Sequence, residues 1–405
     1  MTARLFPVRQ VTSALATPLP RVLRPQRALP NEAVRPTRAV INLAALRHNL
    51  RVLSRASKSP VWAVLKADGY GHGAKAVART LERAGTAGIC VALLEEGIEL
   101  REAGIKLPIL VMGGYYGGAW GDLLRHDLTP VVYDASQVEA LADEVRFSGS
   151  EPIRVHLKVD TGMGRLGATP RELPAVAKAL LRHAEVQFEG LMTHFACADS
   201  GETESVVHQL SIFEDVTATL SRLGLTPVVR HAANSAALLS CEASHLDAVR
   251  PGLSVFGIEP RPGMAKELRP AMSLQTEIVA LRDLDAGESV GYGATWTAKR
   301  PSRIATIPLG YADGLSRAAS NKGHVLVRGR RAPIVGTVSM DLTMIDVTDL
   351  PGASMRDEAV ALGPQRGPLG ADEITVDEIA THLGSIPWEV LTSISRRVPR
   401  FYREP

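Results

Sequence analysis

Between residues 39 and 260, short apolar runs alternate with amphipathic helical stretches, and nothing else in the chain constrains its fold as strongly. The apolar runs fall at 39–43, 61–65, 89–93, 108–112, 130–133, 153–159, 186–194, 228–231 and 246–250. Helical patterns at 44–53, 74–84, 95–103, 136–145, 170–182 and 202–223 separate most of them. Such a series points to parallel strands joined by helical crossovers, since a parallel pair cannot be closed by a tight turn. No dinucleotide-type glycine fingerprint follows the first strand. The expected fold class is therefore an N-terminal (β/α)₈ TIM-type barrel rather than a doubly wound sheet.

The pattern changes near residue 267. Short β-rich runs at 273–281, 302–308, 323–327, 332–335, 343–347 and 358–362 are divided by Gly, Pro and Asp turns. These read as a second, strand-rich domain over 267–405, with a helix at 376–383 and a C-terminal strand. The barrel is expected over 39–266. Residues 1–38 carry seven arginines against one acid, Glu32, and lack the apolar core of a secretion signal. They read as a flexible N-terminal tail.

A net charge of +3 is small for 405 residues, and the tail supplies the excess, which argues against nucleic acid as a partner. No run approaches the ~18 apolar residues of a membrane span. Cys90, Cys197 and Cys241 are odd in number and lack metal-ligand spacing, so they read as reduced thiols of a cytoplasmic protein with no metal site.

In a parallel barrel, polar residues at the C-terminal ends of strands face the site. Here those ends carry Lys66, Lys158, His194, His231 and Arg250. Each has a plainer reading alone: Lys66 as a stem on apolar surface with its head in water, His231 as a satisfied core histidine, Arg250 as half of an ion pair. Five on one rim are harder to dismiss. A desolvated lysine loses its proton more readily, and its amine can then attack an aldehyde. Tyr70 and the glycines after Lys66, Ser235 in "HAANSAA" (231–237), and the amides of Gly252 and Leu253 in "RPGLSVFG" (250–257) suit a phosphate. An aldehyde with a phosphate suggests pyridoxal 5′-phosphate (PLP).

These segments resemble the alanine racemase family. "AVLKADGYGHG", "LKVDTGMGRLG" (157–167), "GLMTHFACAD" and "HAANSAA" are similar to its barrel motifs. "GYGATWTA" (291–298), "PLGYADG" (308–314) and "VGTVSMDLTMIDVT" (335–348) are similar to those of its second domain. The resemblance spans about residues 39–400. It implies a PLP-dependent racemase acting on L- and D-alanine, for peptidoglycan synthesis or alanine breakdown, as a head-to-tail homodimer with shared active sites. Lys66 would bind the cofactor aldehyde and act as one acid/base, and Tyr292 would be the other, reaching in from the partner. Tyr70, Ser235, Gly252 and Leu253 would hold the phosphate. His194 would lie against the ring, and Arg250 would meet its nitrogen. Arg165 would bond the phenolic oxygen, steadied by Lys158, which the family often carries as a carbamate. Met340 would offer its N–H to the substrate carboxylate, and Tyr311 would line the entrance.

Racemisation needs groups on two faces, because the Cα proton leaves one side and returns to the other. A phenol titrating near ~10 serves as a base near neutrality only with help from nearby cations. Taken alone, Tyr292 also reads as a turn tyrosine between Gly291 and Gly293. One position departs from the family. Where "ISYRVPR" is usual, this chain has "ISRRVPR" (394–400), with Arg396 in place of tyrosine, which is expected to loosen selectivity for the methyl side chain. Open alternatives are a serine or broad-specificity racemase, a barrel-type decarboxylase, and a single-barrel PLP carrier without turnover.

Overall fold

The computed structural model describes residues 34–113, 118–201 and 203–404, so the tail expected at 1–33 lies outside the described residues. Strands Trp62–Val64, Gly88–Val91, Ile109–Val111, Thr129–Val132, Ile153–Lys158, Val186–Met192 and Val229–His231 pair in chain order, each parallel to the next. Residues 247–251 close the ring as an eighth stave. On one side Trp62 N–H donates to Val249 O (2.8 Å) and Val64 N–H to Pro251 O (3.0 Å). On the other, Arg250 N–H donates to Ala233 O (2.9 Å) and Asp247 N–H to Arg230 O (3.0 Å).

The crossover helices begin and end where local chemistry directs. Asn42 caps Leu43–Ala56 through its side chain, and Asp134 with Gln137 caps Ala135–Ser148 reciprocally. Gly149, at φ 64°, stops the latter in the left-handed conformation that glycine adopts without a Cβ clash. Among the described residues no helix is long and apolar enough to cross a membrane.

The first expected barrel strand is not in the barrel. Arg38–Asn42 lies in the second sheet, antiparallel to Met272–Glu277 and parallel to Arg400–Arg403. Its three central residues are buried. A short apolar run buried on both faces fits either sheet, so only tertiary pairing decides its place. Residues 34–38, expected to be tail, are also built in. Thr37 is fully buried and shares a hydrogen bond with Thr276 (2.9 Å), and Arg35 pairs with Asp313 (2.8 Å).

That second sheet continues through Glu358–Gly367, His324–Val327 and Arg330–Pro333, with Gly370–Ile374 beside it. A three-stranded sheet joins Ala280–Leu284, Ser302–Ile307 and Thr343–Asp346, and a small hairpin pairs Ser289–Val290 with Trp296–Thr297. The helix expected at 376–383 is present as Val376–Leu383, followed by Pro387–Ser393. One hydrophobic core runs from the barrel into this region.

The barrel interior is polar at its centre. Trp62 lies against His156 (ring centroids 5.8 Å apart) and His231 (6.1 Å). Two strand glycines make the room. A Cβ on Gly190 would sit 2.5 Å from the His156 ring, and one on Gly88 would sit 2.7 Å from Trp62.

Candidate active site

Lys66 follows strand Trp62–Val64 by two residues, at the C-terminal rim of the barrel. The chain then makes a left-handed turn: Ala67, Asp68, Gly69 and Tyr70 have φ of 53°, 54°, 62° and 50°, and Gly71 has 79°. Three of these carry a Cβ, at roughly 1–2 kcal/mol each. Hydrogen bonds hold the turn against that cost. Ala67 N–H donates to Glu96 (2.6 Å), Ala74 N–H to Asp68 (2.8 Å), and Arg400 Nε to Gly71 O (2.9 Å). The second region packs directly on it, since a Cβ on Gly71 would meet Leu391 O at 2.4 Å.

The turn aims Tyr70 inward, and the groups expected to hold a phosphate gather around it. Its ring is buried against Phe256, with centroids 5.2 Å apart, and its hydroxyl stands where a Cβ on Gly252 would be, 2.4 Å away. Burial, then Cys90 and Glu96, raise the Tyr70 phenol well above its ordinary value, so it stays a neutral donor. Gly252 N–H donates to Ser235 Oγ (2.9 Å), and Ser254 N–H reaches the same oxygen at 3.4 Å. Leu253 opens a short 3₁₀ turn, Leu253–Phe256, rather than an α-helix. Only a glycine lets the backbone approach the Tyr70 hydroxyl this closely.

Around this cradle the charge is one-sided. Burial and then Arg165 lower the Lys66 amine below its ordinary value. Lys158, buried at 5 % exposure, falls to about 8 through burial, then Arg165 and Arg250. His194 falls to about 3, through burial and then Arg250, Arg165 and the two lysines, so it is a neutral imidazole. Arg165 sits on the 160–167 loop, which Asp160 shapes by accepting the N–H groups of Gly162, Met163 and Gly164. Asp160 and Glu96 are the carboxylates acting on Lys158 and Lys66, and both are occupied by backbone N–H groups. Lys158 and Arg250 are buried and Lys66 and Arg165 exposed at the rim, and such a partly buried cluster of like charge is unfavourable unless an anion completes it.

Arg250 is buried and pinned. Nη2 donates to Thr193 O (2.7 Å) and Ala232 O (3.2 Å), and Nη1 donates to His231 Nδ1 (2.6 Å). Because guanidinium only donates, His231 must accept there and carry its proton on Nε2. That proton goes to His156 Nδ1 (2.8 Å), leaving His156 Nε2 to face Glu189 Oε2 at 3.4 Å. His231 was expected at the mouth; it is instead an interior histidine whose bonds orient Arg250.

The second region's residues stand apart in the single chain. Tyr292 is 74 % exposed, Met340 52 % and Tyr311 42 %. Tyr311 and Met340 form one rigid unit, with Tyr311 N–H bonded to Ser339 O (3.1 Å) and Ala312 N–H to Met340 O (3.0 Å). Fully buried Asp313 anchors it, accepting from Arg35, Arg397 and Gly310 N–H. Arg396 is exposed and makes no hydrogen bond or ion pair with any described residue. Glu96, His156, Glu189 and Asp313 were missed from sequence, although His156 shares a strand face with Lys158 at a spacing of two.

A closed parallel barrel with cationic groups at the C-terminal ends of its strands belongs to the class of barrel proteins whose sites lie at that face. Residues 41–260 match the model for "Alanine racemase, N-terminal domain", and residues 271–402 that for "Alanine racemase, C-terminal domain". An alanine racemase of Sorangium cellulosum is 60 % identical over 379 residues, covering 92 % of this chain and all of that one. One of Symbiobacterium thermophilum is 44 % identical, covering 92 % and 98 %. The crystal structure of alanine racemase from D-cycloserine-producing Streptomyces lavendulae superposes with a TM-score of 0.86 at 35 % identity, over 92 % of this chain and 98 % of that one. The chain belongs to the alanine racemase family.

Proposed function

We propose that this chain works as a PLP-dependent homodimer in which Lys66 and Tyr292 of different subunits serve the two faces of one substrate. The activity itself is the interconversion of L- and D-alanine. The observation that carries the cofactor reading is the excess of positive charge, with Lys66, Lys158, Arg165 and Arg250 set against only Glu96 and Asp160, beside a cradle of Tyr70, Ser235 and the Gly252 and Leu253 amides. A phosphate and a phenolate are the anions that such a set fits. When bound, PLP supplies the aldehyde for the Lys66 amine and a conjugated ring that makes the substrate Cα proton acidic.

The residues' own tasks follow from their chemistry. Tyr70 and the Gly252 amide, which here donates to Ser235 Oγ, would donate to the phosphate when it is bound, and Arg165 would donate to the phenolic oxygen. Arg250 only donates, so beside the ring nitrogen it would leave that nitrogen unprotonated and so limit side reactions. His194 packs as a neutral ring. Lys158, neutral in growing fraction as pH rises through about 8, is suited to bind carbon dioxide as a carbamate, releasing one proton and offering Arg165 an anionic partner. Met340 N–H receives the substrate carboxylate. Lys66 Nζ exchanges the proton on the D side of Cα, and Tyr292 Oη exchanges it on the L side.

Exposure of Tyr292, Met340 and Tyr311 on the second region supports a face covered by a second copy. The unpaired thiols are consistent with a cytoplasmic enzyme. Addition of PLP in D₂O with L-alanine is expected to give a visible absorbance band, deuterium at Cα and D-alanine together. A band without deuterium uptake supports the carrier alternative, and faster turnover of serine supports the broader racemase.

Arg396 bears on that breadth. Arg396 is exposed, and an arginine that stays in solvent would crowd the substrate side chain less than the family's tyrosine would. Replacing it, Arg396→Tyr, is expected to lower serine turnover relative to alanine by roughly tenfold, the usual scale of a one-atom pocket change. Equal ratios for parent and variant would refute the assignment.

A further inference from the structure

Helix Leu94–Glu102 starts on the loop after strand Gly88–Val91, at the same rim as Lys66. In its first turn, Glu96 receives three backbone N–H groups on two oxygens. Oε2 accepts from Ala92 (2.8 Å) and Leu93 (3.1 Å), which caps its own helix. Oε1 reaches away from the helix to Ala67 N–H at 2.6 Å, the residue that follows Lys66 and opens the left-handed turn. We propose that Glu96 is a positioning residue for Lys66, fixing the backbone from which the amine projects and setting a negative charge beside it.

The residue type is what that task requires. A carboxylate takes donors on both oxygens. A carboxamide of the same size has one accepting end and one donating end, so it must repel either Ala67 N–H or the Ala92–Leu93 pair. Among the groups acting on Lys66, Arg165 opposes its charge and Glu96 favours it; the Lys66 charge in turn acts on Lys158 and His194. Glu96 is thus the countercharge on the amine's side of the turn.

The inference rests on Lys66 being the D-side base. The test compares Glu96→Gln with Glu95→Gln, which removes an exposed charge from the same helical turn. In the holoenzyme, Glu96→Gln is expected to slow Cα deuterium exchange of D-alanine roughly tenfold or more, and that of L-alanine far less. The visible absorbance of the bound coenzyme is expected to titrate at lower pH in this variant. Glu95→Gln is expected to change neither. A purely structural cap would lower the melting temperature of Glu96→Gln and leave both readouts at parent values, which overturns the proposal. Should Glu96→Gln not fold, amide exchange in the parent decides. A slow Ala67 N–H supports the clamp, and one exchanging as fast as exposed loop amides overturns it. If Lys66→Ala leaves D-side exchange intact, the assignment of Lys66 has failed instead.

Discussion

Lys66→Ala is expected to stop conversion of L-alanine to D-alanine, by roughly 10⁴-fold or more, because one side chain serves both as cofactor attachment and as proton carrier. The barrel itself should survive. Lys66 lies at the rim rather than in the packed interior, and its backbone position is held by Glu96 and the Gly71 contacts, which the change does not touch. Its amine is already disfavoured in the charged form by burial and by Arg165. Removing it relieves repulsion within the cationic cluster, so the melting temperature should stay level or rise. Activity by chiral chromatography beside a thermal melt checks both halves. A variant that loses activity and stability together would instead mark Lys66 as structural.

Tyr292→Phe is expected to cost roughly 10²–10⁴-fold in racemisation, the usual contribution of one positioned acid/base. L- and D-alanine have equal free energy, so overall conversion must slow alike in both directions. The asymmetry has to be read in exchange without inversion. The variant should still wash deuterium into D-alanine through Lys66, while exchange of L-alanine collapses. Nothing in the fold opposes the substitution, since Tyr292 is 74 % exposed and its hydroxyl makes no hydrogen bond with any described residue. Equal loss of exchange from both enantiomers would remove Tyr292 from the L side.

The parts of this molecule that the sequence made legible are those governed by local period. The crossover helices, such as Leu43–Ala56 and Val376–Leu383, show their amphipathic faces and caps directly. Lys66 stood out because an ammonium after an apolar strand has no use in a core. Arg38–Asn42 was misplaced because its pattern is the same in either sheet, and the strands that claim it lie more than two hundred residues away. The left-handed turn was half visible: Gly69 and Gly71 announce positive φ, whereas Ala67, Asp68 and Tyr70 adopt it only under contacts from Glu96, Arg400 and Leu391. The line from Arg250 through His231 and His156 to Glu189 was hidden for the same reason. Each pair in it joins different staves of the barrel, far apart in sequence, and the one local hint was Gly190, a glycine in a strand opposite His156.

The central claim is that each site takes Lys66 from one subunit and Tyr292 from the other, and mixing two crippled variants tests it most directly. Lys66→Ala and Tyr292→Phe proteins are dissociated together, allowed to re-pair, and assayed for D-alanine formation. A hybrid dimer has one site with both changes and one with neither, so random pairing should restore about a quarter of parental activity. Activity no greater than the sum of the two separate variants would mean that both groups act within a single chain, or that Tyr292 does not act at all.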